Sequence, residues 1–170
     1  MDDKDEVCPG CKLVLPVFYG SRHPYFGATA SCWALFLQLL AREYSEPAYM
    51  TMHRTTVDAY AAQHPGSAEP RSIQSVNVHL VGLYLVLERR LQPDFVRSVI
   101  GGLTKQKSDL CWLPPAATLG SINVMDVLEA GSPADHENAV RAWGHSVWTA
   151  WATHRETIVA LAAKALAGFG

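Results

Sequence analysis

The chain has 170 residues, 49% of them apolar, 18% charged and 9% aromatic, with a formal net charge of −2. So high an apolar fraction with so little net charge excludes a disordered chain, and 12 Gly and 10 Pro spread without period exclude collagen-like and low-complexity classes. The balanced charge also excludes a general nucleic-acid binder, which would carry a basic surplus.

The first residues, Met1 to Glu6, are acidic with no apolar run behind them, so no secretory signal is expected. The longest apolar run, 78–87, contains His79 and is far shorter than the ~20 residues a membrane crossing needs. A cytoplasmic protein with no membrane or nucleic-acid partner is expected. There the four cysteines, Cys8, Cys11, Cys32 and Cys111, are thiols or metal ligands rather than disulfides.

Residues 1–26 read as an irregular head with one or two short strands, and 27–170 as helical. In 31–44, Cys32, Leu35, Phe36, Leu39 and Leu40 recur with the 3.6-residue period, behind Ser31 as a candidate cap. A second helix follows Ser45-Glu46-Pro47 and ends near Gln63, because Pro65-Gly66 stops it. A third spans 70–91, with Val76, His79, Leu80, Leu83 and Leu87 on one face, and a fourth spans 93–103. After the Pro114-Pro115 loop, a short helix covers 123–129. A last one opens at Ser132-Pro133-Ala134-Asp135 and runs, with a kink, to about Ala167. The fold class is all-α: a single-domain bundle of about five to six helices with a zinc-knuckle-like head.

Cys8-Pro9-Gly10-Cys11 is the sharpest motif. Two thiolates separated by two residues suit one tetrahedral ion, with Pro-Gly as the tight turn between them. A redox reading needs a strand–motif–helix setting that the flanking residues do not offer. A closed zinc site needs two more ligands. Folding the first two helices back at Ser45 as antiparallel neighbours sets Cys32 level with about Val57 to Tyr60, and His64 one turn beyond. Cys8, Cys11, Cys32 and His64 are therefore the expected zinc ligands. His23 competes for the fourth place, and Cys32 has an alternative role as a small buried hydrophobe.

Folding at Gly66–Ser67 brings His53 within about a turn of His79, with Tyr60 nearby. The three are candidate catalytic residues of a mid-bundle pocket, with desolvated imidazoles as base or ligand. The alternative is a pair of core histidines. Asp58 is expected to pair with Arg54 one turn back rather than with His53. Gly144-His145-Ser146 lacks the closing glycine of a nucleophile elbow, and the Trp143, Trp148 and Trp151 face is expected to be core.

Several segments now fall in one order: Cys8-Pro9-Gly10-Cys11, His23-Pro24-Tyr25, Cys32-Trp33-Ala34, His53-Arg54, Val57-Asp58-Ala59-Tyr60, Gln63-His64-Pro65 and His79-Leu80. That order resembles DUF5946, a bacterial family of unknown function that opens with a CPGC motif. The likeness continues through Trp112 and 143–151, and it implies no assigned activity. The family commonly has Gly after the second cysteine, where this chain has Lys12. Two readings follow. One is a small zinc-binding enzyme acting on a small metabolite through the histidine–tyrosine pocket. The other is a non-catalytic, zinc-stapled module that binds a protein partner.

Overall fold

Proline at the first helical position opens four of the helices, where its missing N–H costs no hydrogen bond. The computed structural model describes residues 4–169; Met1, Asp2 and Asp3 of the acidic tail, and Gly170, lie outside the described residues. Strands β1 (Asp5–Val7) and β2 (Val14–Pro16) form an antiparallel pair with Asp5 opposite Pro16. Among the described residues eight α-helices follow: α1 (Ala30–Ser45), α2 (Pro47–Met50), α3 (His53–Gln63), α4 (Pro70–Leu87), α5 (Pro93–Leu103), α6 (Val124–Leu128), α7 (Pro133–Ala150) and α8 (Arg155–Ala167). The chain is mostly helical, as its periodicity predicts, and the strands are confined to the head.

Four boundaries differ from expectation. Thr29, not Ser31, caps α1 by accepting from the Cys32 N–H, while Ser31 Oγ turns to the head and donates to the Pro16 carbonyl at 2.6 Å. The second expected helix is broken into α2 and α3 at Thr51–Met52, where Met52 is buried and no proline or glycine marks the break. Helix α4 stops at Leu87 rather than 91 because Arg90 adopts a left-handed φ of 52°. The Leu91 N–H then returns to the Leu85 carbonyl, closing the helix end without the usual glycine. The last expected helix divides into α7 and α8 around a tight turn at Ala152–His154.

Helix α3 packs most extensively on α4 and α7, and α4 also packs on α5 and α8. Val76, Leu80, Val81, Leu83 and Leu85 of α4 are fully buried at the centre, together with Trp143, Val147 and Ile158. Trp143, Trp148 and Trp151 are core, and two of them use their N–H groups there: Trp143 donates to Gln63 Oε1 and Trp151 to the Ala62 carbonyl, both at 3.0 Å. Gln63 in turn donates to the carbonyls of Leu119 and Ile122. These bonds fix the C-terminal end of α3, where the head docks. No helix among the described residues is long and apolar enough to cross a membrane.

Candidate metal centre

The connection between β1 and β2 is the CPGC turn. The Cys8 N–H donates to the Leu13 carbonyl and the Lys12 N–H to the Cys8 carbonyl, so the turn closes on itself. Lys12 has a left-handed φ of 63°, the conformation glycine adopts without strain. The lysine is held there with its Nζ donating to the Pro9 carbonyl at 2.6 Å. Gly10 answers a different need. It faces the imidazole of His64, and a β-carbon at this position would stand 2.5 Å from the Gln63 carbonyl oxygen. The motif's glycine is there for close approach, and its neighbour beyond Cys11 makes the turn.

Cys32 lies in the first turn of α1, fixed by the Thr29 cap. His64 is the residue after α3. Pro65 disfavours helical geometry in the residue before it, and His64 leaves the helix with φ −125° and ψ 63°. Its Nδ1–H donates to the Tyr60 carbonyl at 2.7 Å. A carbonyl can only accept, so Nδ1 carries a proton, and in the neutral ring Nε2 is the atom left to ligate a metal. That Nε2 lies 3.5 Å from Cys32 Sγ, which lies 3.7 Å from Cys11 Sγ. The ligand atoms of Cys8, Cys11, Cys32 and His64 all fall within 4.8 Å of one another. Cys8, Cys32 and His64 are fully buried, and Cys11 is 9% exposed. Three cysteines and a histidine from the head, α1 and the end of α3 thus form a group able to hold a metal ion.

The electrostatics of the group point the same way. Hydrogen bonds from Cys11 and Cys32, with help from His64, hold the Cys8 thiol far below its ordinary value against the cost of burial. The Cys32 bond pulls Cys11 down, but Cys8 and burial outweigh it and push Cys11 up to about 12. Cys32 is pushed well up, by Cys11 first, then Cys8 and burial. Within the group one sulfur is thus pulled toward thiolate and the other two toward thiol. A cation at the centre would let all three ionise. Burial, then the neighbouring Cys32, keeps Tyr60 a phenol, and its hydroxyl lies 3.6 Å from Cys32 Sγ. Its ring is stacked between Phe36 and His64, at centroid distances of 3.8 and 4.1 Å.

A family model, described as a family of unknown function (DUF5946), matches residues 6–152. The chain belongs to DUF5946. No curated protein and no solved structure matches it.

In this DUF5946 chain, His23 does not reach the metal group. It stacks on Phe26 at 3.8 Å with its Nδ1 buried and unpaired. Cys111 is exposed and stands apart. None of the described clefts is lined by His53, Tyr60 and His79 together. Tyr60 lies against the metal group, its hydroxyl beside Cys32. The two histidines are drawn to different buried carboxylates: His53 Nδ1 to Glu43 at 2.8 Å and His79 Nδ1 to Asp58 at 2.7 Å. Both carboxylates are fully buried, so each demands its own donors, and that demand outweighs an imidazole pairing.

Glu43 also accepts from Thr56 Oγ1 and from His136 Nε2, at 2.5 and 3.0 Å. Asp58 takes Arg54 Nε on its other oxygen at 2.8 Å, so the expected Arg54 pair forms and His79 is added to it. The sequence reading missed Glu43 and His136 altogether. The signal was present: Glu43 continues the Cys32, Phe36, Leu39 stripe of α1, and His136 begins the Val140, Trp143, Val147 stripe of α7. A charged residue on an apolar stripe must meet a partner inside.

Proposed function

We propose that Cys8, Cys11, Cys32 and His64 bind one zinc ion as a structural staple, making this a zinc-stapled helical module. The carrying observation is the spacing of the ligand atoms. A regular tetrahedron around zinc, with Zn–S about 2.3 Å and Zn–N about 2.0 Å, has edges of about 3.8 Å between sulfurs and about 3.5 Å from sulfur to nitrogen. The Cys11–Cys32 and Cys32–His64 separations are 3.7 and 3.5 Å. Thiolate and imidazole donors suit zinc among the common divalent ions. Four buried protein ligands leave no open position for substrate, which favours a structural over a catalytic ion. Bound zinc would offset two of the three thiolate charges and fix the head to α1 and α3, and the Tyr60 hydroxyl would support the Cys32 sulfur.

The test is elemental analysis of protein purified without chelator, for the wild type and for Cys32→Ser and His64→Ala. One zinc per chain in the wild type, lost in both variants, is the expected result. Another metal at full occupancy, or no metal, overturns the zinc reading. Zinc retained in either variant overturns the ligand set.

A further inference from the structure

We propose that the cleft in front of His79 is a binding site for a small ligand carrying an oxyanion group, a phosphate or a carboxylate. The cleft lies between α4, the loop at Tyr25 and the turn at Lys107–Asp109, and its volume of about 430 Å³ fits a small metabolite. Arg71, Ser75 and His79 follow one another at four-residue intervals on α4 and all line it. They therefore form a stripe rising about 6 Å per step.

The charge in this stripe is uncompensated. Arg71 and Lys107 line the cleft with no carboxylate beside them, and neither forms an ion pair among the described residues. Asp58, the carboxylate behind the cleft wall, is already bonded to Arg54. Two cations sharing one concavity are suited to an anion. Ser75 lines the same cleft, and its hydroxyl is buried with no hydrogen-bond partner among the described residues, on a residue only 8% exposed. A buried hydroxyl left unmatched costs stability unless something arrives to bond it.

His79 supplies the second half of the recognition. Its Nδ1–H is committed to Asp58, so in the neutral ring Nε2 is a lone-pair acceptor, and it has no hydrogen-bond partner among the described residues. Asp58 cannot turn away, since it is fully buried and held on its other oxygen by Arg54. Gly82 lets α4 come this close, because a β-carbon there would collide with the Asp58 carboxylate and the Arg54 guanidinium. The imidazole is thereby oriented with an acceptor toward a ligand O–H or N–H. The site thus fits an oxyanion held by Arg71 and Lys107 on a molecule whose hydroxyl or amine meets His79.

Inorganic phosphate is the probe, titrated into full-length protein in its as-purified metal state. Binding is followed by calorimetry and by the ¹⁵N resonances of the His79 ring. Saturable binding to one site is expected, with a change at His79. Arg71→Ala and Lys107→Ala, both at exposed positions where folding is safe, should each weaken it about tenfold. Arg97→Ala, at an exposed ion pair with Asp94 elsewhere, should leave it unchanged. No saturable binding, or an equal loss in Arg97→Ala, overturns the proposal. Zinc measured on the same samples separates the two readings: phosphate binding without zinc would remove the staple and leave this site standing.

Discussion

Gly10 and His64 meet face to backbone, with the head's turn resting on the imidazole ring and no room between them for a methyl group. That contact joins the turn carrying Cys8 and Cys11 to the residue proposed as the fourth ligand.

Gly10→Ala should therefore push the turn off α3, cost about 1–3 kcal/mol as overpacked sites do, and lower metal retention. Lys12→Gly relieves a left-handed lysine and should leave stability at or up to about 1 kcal/mol above the wild type. Thermal unfolding of the two variants, with metal content measured beside it, checks both. A tolerant Gly10 position would mean that the head docks less closely than described.

Removing the metal should loosen the head and lower the unfolding midpoint, a loss of several kcal/mol for a structural site. Acid should release the metal as well, since every sulfur ligand must be deprotonated to bind. Metal release followed against pH should be steep, involving more than one proton. A midpoint unmoved by complete metal removal would show that the staple carries no stability.

Glu43 gives a pH dependence of known sign. Burial pushes its carboxyl up, but hydrogen bonds from His136, His53 and Thr56 outweigh burial and hold it below the usual carboxylate range. A group lowered in the folded state adds stability that is complete above its unfolded value, near 4.5, and is lost as pH falls through the folded value. Glu43→Gln should cost about 1–3 kcal/mol at neutral pH. The gap from the wild type should close in acid. Urea unfolding of both proteins across pH 3–7 reads the difference, in which acid release of metal cancels. A gap that stays constant with pH would deny Glu43 this role.

Trp143→Phe tests the tie at the far side of α3. It keeps the buried ring but leaves Gln63 Oε1 without its donor, for an expected cost of about 1–2 kcal/mol by chemical denaturation. An unchanged midpoint would show that Gln63 finds another donor.

The helices were legible where side chains declare their ends. Helix α5 matches its expected bounds, Pro93 to Leu103, and proline marks the starts of α2, α4 and α7. The breaks at Thr51–Met52 and Arg90 were not, because ordinary residues make them and tertiary packing chooses where. All four members of the metal group were legible from spacing and helix register, since short connections leave few ways to fold α1 against α3. The partners of His53 and His79 were not legible. Register can bring two imidazoles near each other, but it does not show the buried carboxylates, Glu43 and Asp58, that claim them first.

One short loop has two moorings. The Gly27 N–H donates to the carbonyl of His64, and two residues earlier the Tyr25 carbonyl accepts from Ser72 on α4. Tyr25 forms a wall of the His79 cleft, while His64 belongs to the metal group. The loop is thus hydrogen-bonded at both places, to the residue proposed as the fourth ligand and to the helix that lines the cleft. By thermodynamic reciprocity, whatever a filled cleft adds to the grip on the metal, the metal returns in equal measure to the grip on whatever fills the cleft.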